Sequence, residues 1–310
     1  MNTKVNLWFF STLITISVLL SGTTIENYSF EQKLSEGIEK SDGSSILLEE
    51  YTATWCKICT EIDEDVEELS ELHKDRVVLI RVHPADGIDD LGNYASATRI
   101  GMLFNGSTKG TPTFIIDGDV TLEGQAPMSQ LNSEILQTQS NKINFSKINL
   151  SVIRVNETLE FEIEIENSNG ILNLMIIEND VTANNPEGDL DKFNNVLREM
   201  ISINLSEENI ISGGEEWEFE INKNEGEITI LLKYSIDGDL NLKNLGFVSS
   251  HEMIENGEVS VKGTIQIIDE ENRMEINSNY LIIFSVFLII GIFASFGKFG
   301  RKINSIQESE

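Results

Sequence analysis

The spacing of apolar residues changes part-way along the chain. Up to about residue 139, strand-length apolar runs alternate with stretches of helical spacing. Ile46 to Ala53 reads as a strand, and Ile62, Val66, Leu69 and Leu72 then recur at helical spacing. Val77 to His83 predicts a strand, Tyr94 to Phe104 a helix, the run from Pro112 another strand, and Pro127 to Gln139 a last helix. The polar stretch Gln137 to Lys142 reads as a linker. Beyond it the period becomes two. Leu159, Phe161, Ile163 and Ile165 alternate with acids, as in a strand buried on one face. Further strands are expected at Leu172 to Ile177, Trp217 to Ile221, Ile228 to Tyr234, Gly246 to Ser249 and Val259 to Ile268, with a helical insert around Asp191 to Met200. This pattern predicts an α/β domain over 42–139 and an all-β immunoglobulin-like sandwich over 143–269.

Both ends are apolar. Leu7 to Leu20, preceded by Lys4, fits a signal peptide or N-terminal anchor over residues 1–22. Tyr280 to Phe296 is long enough to span a bilayer, which gives a transmembrane helix over 280–297. Lys298, Arg301 and Lys302 follow at once and assign 298–310 to the cytoplasm. The expected location is therefore the cell membrane, single-pass, with the bulk of the chain outside the cytoplasm. Asn-x-Ser/Thr triplets at Asn27, Asn105, Asn144, Asn149, Asn156 and Asn204 are compatible with export.

Acidic residues number 52 against 22 basic ones, a net charge of −30. Phosphates would be repelled, so nucleic acid is excluded as a partner. Asp180, Asn184, Asn185, Glu187, Asp189 and Asp191 supply oxygens, but their spacing is not that of a calcium loop. They read as solvated surface, and no metal is expected. His251 stands alone and reads as a surface residue.

The chemistry rests on two cysteines, Cys56 and Cys59, in Trp55-Cys56-Lys57-Ile58-Cys59. They can pair with each other, bind a metal, or act on another molecule's sulfur; a four-cysteine zinc site is excluded by count. A loop with two intervening residues is a weak staple, because closure stabilisation grows with loop length. It suits a dithiol that opens and closes. Cys56 falls where a strand hands over to a helix, and a helix N-terminus favours a thiolate. Cys56 is therefore the expected attacking sulfur and Cys59 the resolving one.

The segment Ile46 to Cys59, together with Gly110-Thr111-Pro112-Thr113-Phe114-Ile115-Ile116-Asp117-Gly118, resembles the thioredoxin superfamily. The resemblance implies a thioredoxin-like fold for the first domain and a cis Thr111–Pro112 bond beside the cysteines. It also implies that Trp55, Thr111 and Lys57 meet substrate. Glu50 falls where such proteins carry a buried acid, able to exchange the resolving thiol's proton. Because Glu49 and Glu50 are adjacent on a strand, one of them is expected to point inward. The two-part layout is most similar to the Omp-twenty-eight-related exported proteins. It resembles them at Leu48 to Cys56, Leu174 to Asp180, Asn194 to Arg198 and Leu245 to Val248. The implied function is a membrane-anchored thiol–disulfide oxidoreductase acting on exported proteins, with a redox partner of its own and no cofactor. A different class of function is a surface binding or assembly protein with a quiescent disulfide.

Overall fold

The computed structural model describes residues 29–269, apart from 106, 108, 168, 185, 188–191, 225–226 and 237–239. A short helix α1 (Phe30–Glu36) is closed at its start by a capping box between Ser29 and Gln32. Then come β1 (Ile38–Asp42), β2 (Ile46–Tyr51), helix α2 (Lys57–His73), β3 (Val77–Val82), helix α3 (Tyr94–Phe104), β4 (Thr113–Ile116), β5 (Asp119–Glu123) and helix α4 (Met128–Asn141). The remainder is strand: β6 (Ile148–Val155), β7 (Thr158–Ile165), β8 (Ile171–Glu178), β9 (Val181–Thr182), β10 (Lys192–Phe193), β11 (Val196–Asn204), β12 (Asn209–Ser212), β13 (Trp217–Asn224), β14 (Glu227–Ser235), β15 (Leu245–Glu255) and β16 (Glu258–Ile268).

One mixed sheet runs through both halves of the sequence. Its order is β16-β15-β8-β11-β3-β2-β4-β5, with β12 added beside β11. The join is parallel, Val196 against Arg81, and the Arg81 amide donates to the Asn195 carbonyl at 2.8 Å. A second, five-stranded sheet, β1-β6-β7-β14-β13, carries the alternating acids on its outer face.

Strand parity sorts the large sheet's side chains into two layers. Leu172, Leu174 and Ile176 of β8 face the five-stranded sheet, where they share a core with its Phe161, Ile163 and Ile230 and with Phe247 of the neighbouring β15. Met175 and Ile177 face the other way and share a core with Leu47, Val78, Ile80 and Ala95 of α3. Under α2 and α4 a third core collects Ile46, Leu48, Ile62, Val66, Leu79, Phe114 and Leu131. β2, β3 and β8 are covered on both faces, which is why they read as continuous apolar runs rather than alternating ones. Asp117-Gly118, both with positive φ, close the β4–β5 hairpin; a Cβ on Gly118 would lie 2.6 Å from the Val259 carbonyl oxygen.

Several expectations are corrected here. The chain does not form a thioredoxin-like α/β domain followed by a separate immunoglobulin-like sandwich. It is predominantly β, and the edge that would bound an α/β unit at β3 is occupied by β11 from the distal half. Sequence patterning names strands but not partners more than a hundred residues apart, so the shared sheet was invisible to it. The C-terminal transmembrane helix expected over 280–297 falls outside the described residues. No helix among the described residues is long and apolar enough to cross a membrane, and the segments at 1–22 and 280–310 lie outside those residues. The helical insert is instead β10 and β11. A bulge between Leu197 and Glu199 puts Leu197 and Met200 in the same core at three-residue spacing, which imitates a helical period.

Candidate functional site

Strand β2 runs out through Tyr51 into the turn that carries the cysteines, and α2 starts directly after it. Cys56 is the N-cap of α2, and its Sγ accepts from the Cys59 amide at 3.2 Å. Cys56 and Cys59 are joined as a disulfide with a Cα–Cα distance of 5.2 Å. The two sulfurs are not equivalent. Cys56 keeps 8% of its surface exposed and Cys59 none. Around them Trp55 and Ile58 are exposed, and Lys57 pairs with Glu61 one turn along at 3.8 Å.

Three contacts fix the turn from outside. The Thr54 amide donates to Asp89 Oδ2 at 2.9 Å, and Trp55 Nε1 donates to Asp86 Oδ2 at 3.1 Å. The Glu187 amide, from the distal half, donates to the Thr54 carbonyl at 2.8 Å. His83, fully buried, meets the same Asp89 Oδ2 through Nδ1 at 2.9 Å. Burial works against the charge on Asp89, but His83 and the backbone donors of Thr54 and Leu91 hold its carboxyl below the usual range.

The Thr111–Pro112 peptide is cis, the geometry the motif implies. Pro112 immediately precedes β4, and Thr113 pairs with Tyr51. The proline thus stands at the same end of the sheet as the cysteine turn. Thr113 Oγ1 donates to the Gly110 carbonyl at 2.6 Å, which fixes the segment around Thr111.

Both adjacent acids of β2 are buried, because both faces of that strand are covered. On the α2 face Arg81 Nε donates to Glu50 Oε2 at 3.1 Å, and its Nη2 donates to the Asp63 carbonyl at 2.6 Å. The Asp63 carboxylate lies 3.6 Å from Arg81 Nε and within hydrogen-bonding reach of Glu50. Two carboxyls can share a hydrogen bond only if one is protonated. Burial and the negative charge of Asp63, against the pull of Arg81, push Glu50 up to about 8. Burial also raises Asp63, opposed by Arg81 and His83. Asp63 follows Cys59 by four residues on the same helix, so the two share one face. The arrangement can present the slightly exposed Cys56 to a partner and hold a buried proton donor one helical turn below Cys59.

Other expected positions fall elsewhere. His251 is fully buried, not on the surface: Nδ1 meets Ser146 Oγ and Nε2 meets the Asn169 carbonyl, both at 2.7 Å. Among the described residues no cluster that could hold a metal is present. Asn185, Asp189 and Asp191 lie outside them, while Asp180 pairs with Lys192 and Asn184 with Asp90. Sequence spacing does not single out Asp63, Arg81, His83 or Asp89 as site residues. A basic residue inside the apolar run Val77 to His83 was the one signal available, since a buried charge demands a partner.

No family model matches this sequence, and no curated protein sequence does. Among solved structures, HBP35 of Porphyromonas gingivalis superposes with a TM-score of 0.55 at 18% identity, over 74% of this chain and 76% of that one. That likeness shows a shared fold. A carbohydrate binding module of family 9 from Caldicellulosiruptor kristjanssonii, in complex with cellotriose, reaches a TM-score of 0.26 at 8% identity, over 39% of this chain and 65% of that one. A score that low does not amount to a common fold.

Proposed function

We propose that this chain is a thiol–disulfide oxidoreductase that works through Cys56 and Cys59 on the thiols or disulfides of exported proteins. The observation that carries the reading is the asymmetry of the pair. Cys56 caps α2 at the surface, where the helix N-terminus and the Cys59 amide stabilise a thiolate. Cys59 is wholly buried, on the helix face that also carries the protonatable Asp63. Cys56 attacks, Cys59 resolves, and Glu50 and its neighbour hold the proton. Trp55, Lys57, Thr111 and Pro112 frame the approach to Cys56. The motif resemblance to the thioredoxin superfamily, and to the Omp-twenty-eight-related proteins within it, supports the same chemistry. The proposed setting is the outer side of a cell membrane, argued from the apolar segments and the basic flank of the sequence; disulfide substrates exist there.

The second reading is a binding or assembly protein with a quiescent disulfide. It is favoured by the contact of Glu187 with Thr54, which ties the distal half to the cysteine turn. A redox titration of the full chain separates the two. A potential well above about −300 mV supports exchange, and one more reducing than that marks a structural bond and overturns the proposal.

A further inference from the structure

The acid beneath the cysteines is not a single group, and it is not sealed. A surface cleft of ≈ 480 Å³ runs along the flank of α2, with Asp63, Glu67 and Arg81 on one side and Lys192, Phe193 and Asn194 on the other. It thus reaches Asp63, the member of the carboxyl pair that lies on α2. Its far wall is built by the distal half. Asn194 Nδ2 donates to both Glu67 oxygens at 2.8 and 3.0 Å, and the Asn194 carbonyl accepts from Arg81 Nη1 at 3.1 Å. Glu67 lies eleven residues beyond Cys56, or about 16 Å along the helix axis. On α2 the cleft is lined from Asp63 to Glu71, so most of its length lies away from the cysteine turn.

Glu50 Oε1 and both Asp63 carboxylate oxygens receive no hydrogen bond from any other residue in spite of their burial, which leaves them only the proton the two carboxyls share. A buried polar atom without an outside donor calls for a physical reason such as proton transfer, an ordered water or strain. Cys59 stands one helical turn above Asp63, with about 5–6 Å expected between their Cβ atoms.

We propose that Asp63 is the relay through which the proton of Cys59 reaches solvent, along the α2 cleft, while a substrate occupies Cys56. The inference rests on the thiol–disulfide reading. In the resolving step Cys59 first gives its proton to the unprotonated carboxylate of the Glu50–Asp63 pair. The Cys59 thiolate then attacks the Cys56 sulfur of a mixed disulfide with substrate. The bond from Cys56 to substrate breaks, the Cys56–Cys59 bond forms, and the substrate leaves as a thiolate that takes a proton from water. The substrate sulfur is reduced and Cys59 is oxidised. The pair then sheds its extra proton through the cleft. The charged and titratable groups facing Asp63 are Glu50 from β2, Arg81 from β3, His83 just beyond it and Glu67 on α2.

The test is stopped-flow reaction of the reduced full chain with oxidised glutathione. Release of the first glutathione reports attack by Cys56, and release of the second reports resolution by Cys59. In D63N the second release should slow about ten-fold near neutral pH, less than the full 10²–10⁴ of acid–base catalysis because Glu50 remains. Its pH profile should lose the carboxyl limb, the first release should be unchanged, and D63E should restore both. A D63N chain with the wild-type second release and pH profile overturns the relay, and so does equal slowing of both releases. If D63N does not fold, the wild-type profile decides: a carboxyl titration beside that of the thiol supports the relay, and a thiol titration alone overturns it. A wild-type chain that releases no glutathione at all removes the oxidoreductase reading itself, an outcome distinct from a silent D63N.

Discussion

Glu49 and Glu50 are neighbours on one strand, equally buried, and each faces an arginine and a second carboxyl. Their surroundings differ in one respect. Arg99 gives Nε to Glu49 Oε1 at 2.6 Å and Nη2 to Glu49 Oε2 at 2.8 Å, and reaches both oxygens of Glu252 at 2.9 Å. Ser250 adds a further donor to Glu252 at 2.7 Å, and Asn173 and Ser202 continue the chain of hydrogen bonds. Every carboxylate oxygen there has a donor. On the other face Arg81 divides its donors among Glu50, the Asp63 and Asn194 carbonyls and Glu67, which leaves three carboxyl oxygens without one. A saturated network holds β2, α3 and β15 together. An unsaturated one, beside Cys59 and open to a cleft, can gain and lose a proton. The same residue types on the same strand thus serve architecture on one face and chemistry on the other.

The largest effect should come from emptying the saturated side. Arg99→Met leaves Glu49 and Glu252 buried without a counter-charge and should cost about 3–5 kcal/mol in denaturant unfolding. A loss under about 1 kcal/mol would show that the network does not hold the two halves together.

On the Glu50 side the effect is on pH dependence. The carboxyl of Glu50 ionises near 4.5 in the unfolded chain and at about 8 in the fold. Between those values the native state binds more protons than the unfolded one, so stability falls as pH rises. The stabilisation is complete below about 4.5 and gone above about 8. Urea titrations across that range should slope downward for the wild type and flatten in Glu50→Gln. An equal slope in both would place the proton elsewhere.

Reducing the disulfide should do least. Its closed loop is so short that the chain-entropy account gives only about 2 kcal/mol. Hydrogen exchange in β8 and β15 should be nearly the same in the oxidised and reduced chains. Global loosening on reduction would favour a structural bond over a working one.

How much of this was legible follows from the reach of each signal. The cysteine turn, its helix and the Pro112 strand are local, and spacing within about twenty residues predicts them. Strand alternation predicts that one of the two adjacent acids, Glu50, points inward. With α2 on one face of β2 and α3 on the other, both are buried. Nothing local singles Asp63 out from Glu61, Glu64 and Asp65, because its partners Glu50 and Arg81 stand on other elements. The joining of β3 to β11 had no local signature at all. It places Asn194 against Glu67 and Arg81, so the wall of the cleft is built from residues more than a hundred positions away.

The central claim is that Cys56 is a working nucleophile and Cys59 resolves it. It is tested most directly by treating the two single serine variants of the full chain with oxidised glutathione and weighing the products. Cys59→Ser should accumulate a stable glutathione adduct on Cys56, and Cys56→Ser should remain unmodified because Cys59 is buried. Equal adducts on both variants, or none on either, would contradict the account.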